Sequence, residues 1–256
     1  MGVVDDTYAE PMLSARSRLI LRAFELPVLR RYPRNATFSF LAARTRFFDD
    51  AVTSALDAGI VQVVIVGAGY DSRAWRLAGE GVHFFEVDHP ATQAEKRRRA
   101  PSGAGPTFVA CDLVAGDLAS ALCAGGFRAE EATVFIVEGL TMYLPEADVR
   151  ALFTALAGLS AAGSRLAVNF RFDGGGSYSP LARVVTWAKR AQWARGGEPT
   201  HQWVRPDALS DFIAACDWTV TETILGPDLA GRYLTDSVLP TAGVSPGAIC
   251  ISTTRS

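Results

Sequence analysis

The run Val61–Arg73, "VQVVIVGAGYDSR", constrains the chain more than any other stretch. A short, nearly continuous apolar run rich in β-branched residues reads as a strand covered on both faces. It breaks into Gly67-Ala68-Gly69, a turn whose glycines let backbone approach a ligand closely. Nucleotide-binding parallel sheets begin this way. Two departures argue against a dinucleotide. Ser72 stands where G-x-G-x-x-G wants its third glycine, and Asp71 puts a carboxylate where a pyrophosphate wants donors. The turn therefore predicts a ligand that contains a nucleoside but no polyphosphate.

Further along, short apolar runs alternate with helical patterns, the signature of a parallel α/β sheet. Strands are predicted over Val61–Val66, Val82–Val87, Thr107–Ala110, Thr133–Val137, Arg165–Phe170, Trp218–Ile224 and Ala248–Thr253. A helix is predicted from Pro145 to about Ala162, with Val149, Leu152, Phe153, Leu156 and Leu159 on one face and Gly163 closing it. A second opens at Pro206, with Leu209, Phe212, Ile213 and Cys216 inward. Residues 1–60 read as a helical cover, with Phe40, Leu41, Phe47, Phe48, Val52 and Leu56 on its apolar face. Residues 171–205 separate the fifth strand from its next helix, far more than the roughly two to six residues usual there. They are expected to form an inserted cap on the substrate side. The expectation is one domain over 1–256: an α/β, doubly wound, mostly parallel seven-stranded sheet with an N-terminal helical extension and an inserted helical cap.

The 256 residues are 49% hydrophobic, enough for one large core without covalent staples. A net charge of −2, with both signs mixed, leaves no electrostatic footprint for nucleic acid. Lys96-Arg97-Arg98-Arg99 is the one basic run and reads as a solvated helix end. No stretch reaches the roughly 18 apolar residues of a membrane span. The start, "MGVVDDTYAEP", has no apolar signal core. The four cysteines form no CxxC and the three histidines are scattered, which predicts neither a zinc site nor a disulfide framework. A cytoplasmic protein with a small-molecule partner, without metal, is expected; monomer and homodimer both stay open.

The other strand ends carry acids. Asp88, 19 residues beyond Gly69, follows the second strand, where a carboxylate accepts hydrogen bonds from ribose hydroxyls. Asp112 follows the third and can accept from an adenine amine, while the Leu113 amide donates to a ring nitrogen. Glu138 follows the fourth, the expected neighbour of the first, and should face the glycine turn. Each acid singly also reads as a helix cap or surface charge. Together, Asp71, Asp88, Asp112 and Glu138 predict a crevice for an adenosine bearing positive charge, which is the character of S-adenosylmethionine.

The ordered segments "LAARTRFFDDAV", "VVIVGAGYDSRAWRL", "FFEVDHPATQAEKRR", "CDL" and "VFIVEGLTMYL" resemble the leucine carboxyl methyltransferase-like family of class I, S-adenosylmethionine-dependent O-methyltransferases. The likeness is to its bacterial secondary-metabolism branch, which includes carboxyl methyltransferases of tetracenomycin-type polyketides. It is strong over residues 40–145 and loose elsewhere. The resemblance implies a Rossmann-like fold and specific roles. Arg44 would pair with the methionine carboxylate. Gly67, Ala68 and Gly69 would line methionine and ribose, with Asp71, His89 and Gly139 nearby. Asp88 would hold the ribose, Asp112 and Leu113 the adenine, and Glu138 would lie near the methionyl amine. Arg16 is the loose match to a further basic residue in the first helix. The branch's Asp-Pro segment is absent from the short "ELPVLRRYPRNATF".

Methyl transfer from a sulfonium is an in-line displacement, so positioning dominates. A carboxylate acceptor, ionised at neutral pH, needs no base, whereas a phenol near pKa 10 needs one. Base candidates are sparse: His83 begins a strand, His89 sits by the adenosine, and His201 in the inserted segment is the remaining choice. Arg171, Arg205 and Arg73 are candidate clamps for an acid substrate, or partners of the acidic ring. Tyr143, Tyr178, Trp187, Trp193 and Trp203 could line an aromatic pocket or pack in the core. His201, Arg171 and Tyr143 are the catalytic candidates. The favoured reading is an O-methyltransferase acting on a carboxylate of a small aromatic molecule. A hydroxyl methyltransferase and a non-catalytic binder stay open. An NAD oxidoreductase is disfavoured by Asp71, Ser72 and the lack of a Tyr-x-x-x-Lys pair.

Overall fold

The computed structural model describes residues 5–13, 18, 36–171, 206–235, 239, 241, 244 and 248–255. Its centre is one seven-stranded sheet in the order β3-β2-β1-β4-β5-β7-β6. The strands are β1 (Gln62–Val66), β2 (His83–Asp88), β3 (Thr107–Ala110), β4 (Thr133–Val137), β5 (Arg165–Arg171), β6 (Thr219–Leu225) and β7 (Ala248–Thr254). Each lies within about one residue of its expected position. The first five pair in parallel, and β7 runs antiparallel between β5 and β6. Coverage on both faces holds for β1 and β4, which are buried throughout, but not for the edges β3 and β6, where exposed residues recur.

Strand alternation divides the core in two. Val64, Val66, Phe135 and Val137 face one helical layer, with Phe153, Leu156, Ile213 and Trp218 buried against them. Val63, Ile65, Val134 and Ile136 face the other layer, built on Phe47, Phe48, Val52 and Leu229. The Trp218 indole N–H donates to the Phe153 carbonyl at 3.0 Å, so the large ring is buried without an orphaned donor.

Among the described residues the helices in chain order are α1 (Ala9–Met12), α2 (Ala36–Asp57), α3 (Arg73–Arg76), α4 (Pro90–Arg97), α5 (Leu118–Ala124), α6 (Glu146–Gly158), α7 (Leu209–Ala214) and α8 (Gly226–Tyr233). The expected apolar face of α2 buries Phe47, Phe48 and Val52 but leaves Leu41 exposed near its start. Helix α6 is shorter than expected: Pro145 is its N-cap and it ends at Gly158 rather than near Ala162. Its five predicted inward residues are all buried. From Pro206 a 3₁₀ turn leads into α7 instead of one continuous helix. Among the described residues no helix is long and apolar enough to cross a membrane. The inserted segment beyond Arg171, with Tyr178, Trp187, Trp193, His201, Trp203 and Arg205, lies outside the described residues, as does Arg16.

Candidate functional site: a cofactor crevice at the carboxyl ends of the strands

The glycine turn follows β1 and rests on β2. Gly67 and Ala68 both donate backbone N–H bonds to the Val87 carbonyl, at 2.8 and 3.1 Å. Gly67 and Gly69 hold φ of +67° and +48°, a region costly to residues with a Cβ. At Gly67 the constraint is double, because a Cβ would lie 3.0 Å from Leu140 Cδ1. Asp88, expected to hold a ribose, closes the turn: its Oδ2 accepts the Gly69 N–H at 2.5 Å and its Oδ1 accepts the His89 N–H at 2.7 Å. Each oxygen keeps acceptor capacity for a ligand hydroxyl.

Because β1 and β4 are neighbours, Glu138 reaches the turn, and with Arg44, Arg76, Gly139 and the turn residues it lines a crevice of about 370 Å³. Of the four acids expected to ring one crevice, Asp71 and Glu138 line it, whereas Asp88 and Asp112 do not, and the two that line it are paired with arginines. Glu138 is held by two guanidiniums, Arg44 Nε at 2.8 Å and Arg73 Nη1 at 2.8 Å. Asp71 pairs with Arg73 Nη1 and also accepts the Arg73 backbone N–H at 2.7 Å. Arg73 is therefore a buried partner of the acids and not a substrate clamp. Its Nε donates to Asp49, which also binds Arg76 through both carboxylate oxygens at 2.8 Å. Burial works against the Arg73 charge, but Asp71, Glu138 and Asp49 outweigh it and raise its pKa. Arg44 spends only Nε on Glu138; its guanidinium carbon sits 5.8 Å over the Phe40 ring, and its terminal nitrogens lie across Gly139 with no hydrogen-bond acceptor among the described residues.

A second buried pair lies beneath the turn. The basic run is not a solvated helix end at its first residue: Lys96 is 1% exposed, as is Glu86. Lys96 Nζ lies 2.6 Å from Glu86 Oε2 and donates to the Asp71 carbonyl at 2.7 Å, tying α4 to β2 and to the turn. Burial pushes Glu86 up to about 8 against the pull of Lys96.

The remaining expected residues spread along the same sheet edge. Asp112 Oδ1 accepts the backbone N–H groups of Val114 and Ala115, bonds that hold its carboxyl below the usual range. Leu113 is partly buried beside it. His89 caps α4, its Nδ1 accepting the Ala91 N–H at 3.2 Å, while His83 is exposed at the opposite end of β2. Tyr143 is 40% exposed in the 3₁₀ turn Thr141–Tyr143, and Arg171 is exposed at the end of β5. Neither lines the 370 Å³ crevice. Sequence reasoning missed Asp49, Arg76 and Asn169. Asn169 Oδ1 accepts the Gly139 N–H at 2.7 Å and so fixes the loop carrying Glu138; its one signal was a polar residue inside the apolar run "RLAVNFR". A larger hollow of about 550 Å³, between α2 and α8 near the amino ends of the strands, contains none of these groups. Among the described residues no three His, Cys, Asp or Glu side chains converge as metal ligands.

The crevice offers close-approach glycines and the Arg44 guanidinium, and Asp88 lies next to it, bonded to the Gly69 N–H; these are groups an adenosine ligand with an amino-acid end can use. Comparison with known proteins agrees. The leucine carboxyl methyltransferase family model matches residues 1–157. A provisionally named S-adenosyl-L-methionine-dependent methyltransferase of Mycolicibacterium smegmatis is 45% identical over 206 residues, 76% of this chain and 66% of that protein. A similarly named protein of Mycolicibacterium paratuberculosis is 33% identical over 233 residues, 86% of this chain and 76% of that one. The chain spans between 44% and 66% of the length of three of the curated relatives it matches. Magnesium protoporphyrin IX methyltransferase from Synechocystis, solved with bound SAH, superposes with a TM-score of 0.54 at 16% identity, over 93% of this chain and 100% of that one. That likeness marks the sheet as the class I methyltransferase fold. The glycine turn, Asp88 and the Arg44–Glu138 pair thus stand in a chain that belongs to the leucine carboxyl methyltransferase family.

Proposed function

We propose that the protein is an S-adenosylmethionine-dependent O-methyltransferase whose acceptor is a carboxylate on a small, largely apolar molecule of aromatic polyketide type. The cofactor is S-adenosylmethionine, which supplies an electrophilic methyl group on a sulfonium. The observation that carries the reading is the crevice between β1 and β4. There the Gly69 amide is bonded to Asp88, and Arg44 turns its unused donors across Gly139. Asp88 binds the ribose, Arg44 takes the methionine carboxylate as a charge-assisted pair, and Asp112 and Leu113 border the adenine. The chain's part in the reaction is to align the acceptor oxygen and exclude water.

Two points support a carboxylate. The family's description names a carboxyl methyltransferase. The two histidines among the described residues are a helix cap and an exposed strand start, so neither serves the crevice as a base. An acceptor already ionised at neutral pH needs none. A hydroxyl acceptor would call on His201 instead. In this reading residues 171–205 supply the substrate side, and Tyr143 and Arg171 serve the acceptor.

Calorimetric titration with S-adenosylhomocysteine, with NAD in parallel, tests the first half. Micromolar binding of the former, none of the latter and loss in Asp88→Ala are expected. Failure of S-adenosylhomocysteine to bind withdraws the assignment. Methyl transfer to aromatic carboxylic acids, unaffected by His201→Ala, is the expected second result. Transfer to phenols alone, abolished by that substitution, would move the acceptor to a hydroxyl.

A further inference from the structure

Residues 5–13 form an N-terminal strap that reaches the crevice. Asp6 lines it beside Arg44, Glu138 and the glycine turn. Its Oδ1 accepts the N–H groups of Tyr8 and Ala9, both at 3.0 Å, and its Oδ2 accepts the Ser72 hydroxyl at 2.6 Å. Ser72, the residue in place of the third glycine, is thus the anchor for this segment. Met12 is buried behind it, and the Arg99 guanidinium donates to the Met12 carbonyl and the Tyr70 hydroxyl. The strap therefore lies on the turn through several contacts.

The charge of the cluster is informative. Asp49, Asp71 and Glu138 face Arg44, Arg73 and Arg76, and every member of these two threes is in a short ion pair. Asp6 is the fourth acid; among the described residues its nearest cation is Arg76, whose Nε is 3.8 Å away. Counted over the described residues, the cluster is left with one negative charge, on the carboxylate that has no hydrogen-bonded guanidinium there. The charge of Glu138, the acid expected beside the methionyl amine, is already met by one guanidinium at each oxygen.

We propose that Asp6, carried in by the N-terminal strap and set by Ser72, is the carboxylate that receives the methionine ammonium of the cofactor. This rests on the S-adenosylmethionine reading above. Arg44 then holds the carboxylate of the same amino-acid end and Asp6 its ammonium, both from the lining of the one crevice. The pairing reads the amino-acid end of the ligand and is blind to the adenosine.

Calorimetric titration of the full chain and of Asp6→Asn with S-adenosylhomocysteine and with 5′-methylthioadenosine, which lacks the amino-acid end, tests it. Asp6→Asn should weaken S-adenosylhomocysteine by about tenfold or more, the scale of one charge-assisted hydrogen bond. It should leave methylthioadenosine within about twofold. Ser72→Ala, which removes the anchor but keeps the charge, should fall between the two. It also gives a second reading if Asp6→Asn folds poorly, since it too should spare methylthioadenosine. Equal weakening of both ligands would make Asp6 a latch only and overturn the proposal, as would unchanged affinity for both. Failure of the unaltered chain to bind S-adenosylhomocysteine would overturn the cofactor reading with it.

Discussion

Gly67 and Gly69 look alike in the sequence and differ in the structure. A Cβ on Gly67 would meet Leu140 at 3.0 Å, whereas on Gly69 its nearest contact is the Gly67 carbonyl oxygen at 4.0 Å. Gly67→Ala should destabilise by roughly 1–3 kcal/mol, and Gly69→Ala by about 1 kcal/mol from backbone strain alone. Urea unfolding of the two variants checks the order. Arg73→Met should cost more, roughly 3–5 kcal/mol, because it strands Asp49, Asp71 and Glu138 beside one lost cation. A loss under 1 kcal/mol would show the acids relax to water. At this scale legibility was uneven. Asp88 and Glu138 were readable because they close apolar strands. Asp49 was not: beside the exposed Asp50 on α2, nothing local marks it as the buried partner of two arginines.

Elements are fixed in place by polar bonds that periodicity does not show. The loop after β4 hangs on Asn169 of β5, so Asn169→Ala leaves the Gly139 N–H unpaired and should cost about 1–3 kcal/mol, with a fall in S-adenosylhomocysteine affinity as Glu138 drifts. The β2–α4 joint predicts a pH effect. Glu86 is pushed from 4.5 to about 8 by burial, with Lys96 opposing. Between those values the folded protein holds a proton that the unfolded chain has lost. Its stability relative to Glu86→Gln should then fall as pH rises from about 5 to about 8. Chemical denaturation of both proteins across that range measures it, and parallel curves would show that Lys96 keeps Glu86 ionised. The basic run misled at Lys96 because charge content reports the average face of a helix, and α4 turns this one side chain under the sheet.

For the whole molecule, a ligand that binds only the folded chain must raise its stability. Saturation with S-adenosylhomocysteine at a hundredfold excess over its dissociation constant should add about 2.7 kcal/mol. That corresponds to roughly 5–10 °C in thermal midpoint, with no shift from NAD. Differential scanning fluorimetry reads both. The sequence by itself determined the strands, the apolar faces of α2 and α6, the glycine turn and the acids at strand ends. Those features follow from local periodicity and from where an apolar run must stop. Only the tertiary structure decided that β7 returns antiparallel between β5 and β6, since strand order depends on pairings between distant segments. It alone decided the charge of the crevice as well. Burial drives Asp49, Asp71 and Glu138 to find cations, and these come from α2 and α3, as many as 94 residues away along the chain.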